Sequence, residues 1–93
     1  MPKLTISQLR ELIRSLNYVV SIHAAEELDD DNLTILDLEN IILTGKIIER
    51  QRDRHTSEAK CVIRGFTLNH IEAETIVKIG PTGRLVVITA YLI

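Results

Sequence analysis

Residues 34–52, "TILDLENIILTGKIIERQR", contain the change of hydrophobic period that decides the fold. Through Thr44 the apolar residues Ile35, Leu38, Ile41 and Ile42 recur at helical spacing. Thr34 and Asp37 stand three apart, as a capping box requires, and Gly45 suits the C-terminal stop of that helix. Past Gly45 the pattern shortens, and "KIIERQR" predicts the first of a series of strands.

Upstream of this switch the chain reads as helical. "TISQLRELIRSLN" (5–17) places Ile6, Leu9, Leu12, Ile13 and Leu16 on one face. Thr5 and Gln8 have capping-box spacing, and Leu4 with Leu9 has the spacing of a hydrophobic staple. "YVVSI" (18–22) is short and β-branched, hence extended or a strand. "HAAEELDDD" (23–31) predicts a short helix with Ser21 or His23 near its start. Downstream, "AKCVIRGFT" (59–67), "EAETIVKI" (72–79) and "RLVVITAYLI" (84–93) predict three more strands, joined by the polar loop "DRHTSE", a turn near Asn69 and His70, and the turn "GPTG". Short connections favour antiparallel pairing. The expectation is one α+β domain spanning 1–93, with N-terminal helices packed on a four-stranded antiparallel sheet whose other face is open or only partly covered.

Composition narrows the function classes. Apolar residues make up 45% and aromatic residues 3%, so the core is built from Leu, Ile and Val, and there are too few rings for a base-stacking platform. Cys61 is the single cysteine, which excludes an internal disulfide and suits a reducing compartment. With no secretory h-region and no apolar run near ~20 residues, the chain reads as cytoplasmic, without a membrane partner. Charge is uneven: three Lys/Arg against eight Asp/Glu through Gly45, then eight against five from Lys46 onward. An anionic ligand would therefore meet the second half, unless both halves simply carry solvated faces.

Strand alternation sorts the candidate site residues. Lys60, Val62, Arg64 and Phe66 share a face of the second strand, and Glu72, Glu74, Ile76 and Lys78 a face of the third. In the fourth, Leu85, Val87, Thr89 and Tyr91 fall together. One face can thus gather Lys60, Arg64 and Lys78, with Thr89 and Tyr91 if the registers agree. Such a cationic, hydroxyl-bearing surface can hold a phosphate; an ordinary solvated sheet face has the same composition. Arg54 and His55 in the polar loop add phosphate partners or are plain loop polarity. His23 has no partner at metal-ligand spacing and no cysteine cluster exists, so neither metal nor cofactor is expected. Alone, His23 is either a histidine satisfied by the backbone or an acid–base group. Asp29 to Asp31 lack the alternation and glycine of a calcium loop and read as a solvated helix end.

The line "VVSIHAAEEL…LTILDLENIILTGKIIER…AKCVIRG…ETIVKI…GRLVVITAYLI" resembles a family of small prokaryotic domains of unknown function. Its pattern opens with S-x-H-A, passes through D-[IL]-E and G-x-I-I-E, and closes on V-I-T-x-Y. The match covers about residues 18–93, leaving 1–17 as an added helix. That family resembles the RelE/MqsR-like toxins of the barnase–colicin–RelE nuclease fold. The resemblance implies a toxin of a type II toxin–antitoxin system: a metal-independent endoribonuclease with an RNA substrate and a cognate antitoxin partner. Ser21 and His23 match S-x-H-A, and Thr89 and Tyr91 match T-x-Y. The implied roles are His23 as acid or base, Arg64 and Lys60 on the scissile phosphate, and Tyr91 in proton transfer or positioning. Arg54, His55, Lys78 and Thr89 complete the expected phosphate contacts. Relatives carry arginine four and eight residues after the motif histidine, where this chain has Glu27 and Asp31. Either the C-terminal sheet supplies the cations, or the chain is a non-catalytic domain that binds a partner or a second copy of itself as a homodimer.

Overall fold

Three helices start on side-chain caps. The computed structural model describes residues 4–52, 55 and 58–93. Helix α1 (Ile6–Arg14) opens on a full capping box between Thr5 and Gln8, and α3 (Ile35–Thr44) on one between Thr34 and Asp37. Helix α2 (Ile22–Asp30) is capped by Ser21, whose hydroxyl accepts from the Ala24 N–H. Strands β1 (Tyr18–Val20), β2 (Lys46–Arg52), β3 (Ala59–Phe66), β4 (Glu72–Ile79) and β5 (Leu85–Leu92) form one sheet.

The fold is α+β, with the sheet order β1-β5-β4-β3-β2. Four strands make the expected antiparallel meander, but the sheet is five-stranded and mixed. β1 pairs in parallel with β5, Tyr18 opposite Leu85 and Val20 opposite Val87. This corrects the four-stranded, purely antiparallel expectation. A parallel pair needs a long crossover, and here the crossover is most of the chain, so local connection length carries no sign of it. β1 ends after three residues, and α2 then runs along the β5 edge. The Ser21 N–H donates to the Val87 carbonyl and its hydroxyl to the Ile88 carbonyl, at 3.0 and 2.9 Å. Helix-borne groups thus satisfy backbone where strand pairing stops.

The core lies between the helices and one sheet face. Leu9 and Ile13 of α1, Ala24 and Leu28 of α2, and Leu38 and Ile42 of α3 meet Cys61, Ile63, Val77, Leu85, Val87 and Ala90. The leading α1 segment is therefore part of this core. Gly45 is extended rather than left-handed, with φ −86° and ψ 174°, so it does not stop α3 by backbone conformation. It is glycine for room: a Cβ there would lie 2.4 Å from the Ile41 carbonyl oxygen, and one on Gly65 would lie 2.0 Å from the same oxygen. The end of α3 crosses β3 through this glycine pair. Among the described residues, no helix is long and apolar enough to cross a membrane.

Candidate active site on the open sheet face

The face turned away from the helices carries the candidate residues in cross-strand rows. Lys46, Arg64, Glu74 and Tyr91 are directly paired across β2, β3, β4 and β5. Glu49, Val62, Ile76 and Thr89 form the next row, and Gln51, Lys60, Lys78 and Val86 the one after.

Thr89 and Tyr91 reach this face through a β-bulge. Simple alternation puts them with Leu85 and Val87, which are fully buried on the helix side. The β4–β5 register shifts between Ile76 and Val77: Val77 pairs with Val87, Ile76 with Thr89. Ile88 is the extra residue, and the parity of β5 reverses beyond it. A bulge re-aims the side chains that follow it. Here it keeps Leu85 and Val87 in the core and turns Thr89 and Tyr91 outward. This corrects the expected common face of the four residues.

Two carboxylates organise the site. Glu74, almost fully buried, accepts from Arg64 Nε and Nη2 through one oxygen, at 2.8 and 2.6 Å, and from the Tyr91 hydroxyl through the other, at 2.7 Å. The Tyr91 and Arg64 hydrogen bonds hold the Glu74 carboxyl below its ordinary range. In return, the bond to Glu74 and partial burial push the Tyr91 phenol upward, helped by the charges of Glu74, Glu27 and Glu49. The Arg64 guanidinium, also raised by Glu74, stays charged, with its side chain 43% exposed. The second carboxylate, Glu27, accepts from the Ala90 N–H at 3.1 Å and from the Thr89 hydroxyl. Its Oε1 lies 3.3 Å from His23 Nε2, one helical turn away. The His23 side chain is 68% exposed, so it is not sealed in the core. Its imidazole borders the face that bears Thr89 and Tyr91.

The structure thus forms two clusters: Glu27 joins His23 to Thr89, and Glu74 joins Arg64 to Tyr91. Lys78 stands elsewhere on the face and is paired with Glu58 at 2.5 Å. Lys60 lies directly opposite Lys78. His55 is exposed between β2 and β3, and Arg54 lies outside the described residues. The face is accordingly not a plain run of cations, because Arg64 and Lys78 carry carboxylate partners. Cys61 is buried on the opposite side, where desolvation raises its thiol and the nearby Arg50 charge opposes that rise. Among the described residues, no three His, Cys, Asp or Glu side chains cluster as metal ligands would.

Glu74 carried a readable signal, since alternation already set it beside Arg64's face. Glu27 was legible too, four residues after His23 on a predicted helix. Neither position shows from sequence alone which atoms it holds.

The family described as Domain of unknown function (DUF4258) matches residues 20–92. The chain belongs to that family. No curated protein and no solved structure matches it. The DUF4258 match begins inside β1 and ends at the last residue of β5, so it spans every site residue named above and excludes α1.

Proposed function

We propose that this DUF4258 domain is a metal-independent endoribonuclease, the toxin of a pair whose second member is a cognate antitoxin protein. One observation carries the proposal: Glu74 holds a guanidinium and a phenol together on the uncovered sheet face, and Glu27 ties an exposed imidazole to Thr89 at the border of that face. RNA cleavage without metal needs a base for the 2′-hydroxyl, a cation on the phosphate and an acid for the leaving 5′-oxygen. His23 takes the 2′-hydroxyl proton and returns it to the leaving 5′-oxygen, since it is exposed and its Nε2 faces a carboxylate. Arg64 holds the scissile phosphate, with Glu74 fixing the fork that presents it. Tyr91 positions rather than protonates: its hydroxyl proton points at Glu74 and its ionisation is pushed upward. Thr89 anchors Glu27, and Lys60, Lys78 and His55 add phosphate contacts away from the Arg64 row.

A second reading has its own support. Arg64 and Lys78 are both paired with carboxylates, and Glu27 stands where the resemblance expects arginine. These features favour a non-catalytic domain that docks a partner or another copy of itself. Inducible expression separates the two. Growth arrest with RNA decay, absent in His23→Ala, supports the nuclease; normal growth with intact RNA supports the binder.

A further inference from the structure

Lys46 was not among the residues that sequence patterning singled out. It pairs directly with Arg64 across β2 and β3. The next pair, Ile47 with Ile63, packs into the core, so Lys46 and Arg64 project from the opposite face. Like charges directly opposite each other on neighbouring strands are destabilising. Arg64 is offset by Glu74, but no hydrogen bond or ion pair joins Lys46 to another described residue, and its side chain is exposed. Glu49 stands in the next row of the same face and Glu72 also acts on Arg64, but no bond joins either to Lys46, so this ammonium beside a guanidinium is open to an anion that bridges the two.

We propose that Lys46 and Arg64 form a two-cation site for phosphodiester oxygens, with Lys46 on a phosphate flanking the scissile one. This rests on the nuclease reading for the identity of its ligand, but not for the anion site itself. Strand spacing sets the geometry. β2 lies three strands from β5, about 15 Å across the sheet. Tyr91 sits at the β5 end, where α2 carries His23, Arg64 lies between, and Lys46 is farthest from the proton-transfer group. Lys46 therefore binds without taking part in bond cleavage. The backbone of one RNA strand would cross the sheet along this row, from the imidazole toward β2.

The test uses the full chain, an uncleavable 2′-deoxy oligonucleotide and inorganic phosphate. Affinity is measured against salt for the wild type, Lys46→Gln and Arg84→Ala, the last an exposed turn cation far along the sheet from Lys46. Loss of one phosphate contact reduces the salt slope by about 0.7 and weakens binding about fourfold near ~0.15 M salt. Lys46→Gln should show that loss and Arg84→Ala should not, while Lys46→Gln melts no earlier than the wild type. Separately, phosphate should shift the amide and side-chain resonances of Lys46 and Arg64. Shifts at both residues without oligonucleotide binding would keep the anion site and defeat the RNA assignment. A wild-type salt slope in Lys46→Gln, or no phosphate shifts at the two residues, would overturn the inference.

Discussion

Glu74 shows how much one side chain can decide. Each of its oxygens serves a different neighbour, so a single buried carboxylate sets where the Arg64 guanidinium lies and which way the Tyr91 hydroxyl proton points. Leu16 shows the opposite case, a residue whose identity opposes its backbone. α1 ends in a Schellman arrangement: the Leu16 N–H bonds the Ile13 carbonyl and the Asn17 N–H bonds the Leu12 carbonyl. Leu16 occupies the left-handed position with φ 58°, where glycine is favoured, and it is 72% exposed. The equivalent position after α2 is Asn32, which tolerates that conformation better. Leu16→Gly removes backbone strain and little packing, so it should stabilise the fold by about 1 kcal/mol, measured by urea unfolding.

At the scale of elements, the contact between α3 and β3 leaves no room for a side chain. A Cβ on Gly65 would overlap the Ile41 carbonyl and approach the Gly45 Cα to 2.9 Å, and both neighbours are backbone. Gly65→Ala should cost at least ~2–3 kcal/mol by thermal unfolding, because helix and strand must separate to admit the methyl group. The same helix and strand illustrate what the sequence reveals about elements. Both capping boxes, the switch of period after Gly45 and the spans of β2 and β4 are written in local side-chain chemistry. The parallel β1–β5 pair is not, because its partners are a three-residue segment and the last strand. The β5 bulge is hidden for another reason. "LVVITAYL" is apolar or β-branched at nearly every position, so its parity can change without disturbing the pattern. That hidden bulge decides whether Thr89 and Tyr91 face the core or the site. Arg64 and Lys60 were legible because β3 alternates without interruption, whereas Lys46 becomes visible as the neighbour of Arg64 only once the β2–β3 register is known.

For the whole molecule, buried carboxylates link the fold to pH. Asp37 accepts from the Thr34 N–H and hydroxyl and from the Leu68 N–H, tying the start of α3 to the turn between β3 and β4. The Thr34 N–H is the strongest influence holding its carboxyl below the ordinary 3.8, and burial opposes it. The native state then binds fewer protons than the unfolded chain, so this contribution is complete above the ordinary value. It is lost as pH falls through the lowered native one. Glu74 follows the same sign. Asp37→Asn should be less stable than the wild type at neutral pH, with the gap closing toward pH ~2 as the wild-type carboxyl protonates. Urea unfolding of both proteins across that range checks it; a gap that stays constant would show that charge plays no part.

The whole molecule also places one imidazole beside a sheet face whose guanidinium and phenol share a carboxylate. The central claim is that this arrangement cleaves RNA without metal. Purified chain incubated with single-stranded RNA in excess chelator measures it most directly. The expected result is cleavage that leaves 2′,3′-cyclic phosphate ends and falls at least ~100-fold in His23→Ala and in Arg64→Ala. Intact RNA, or equal cleavage by all three proteins, would contradict the account.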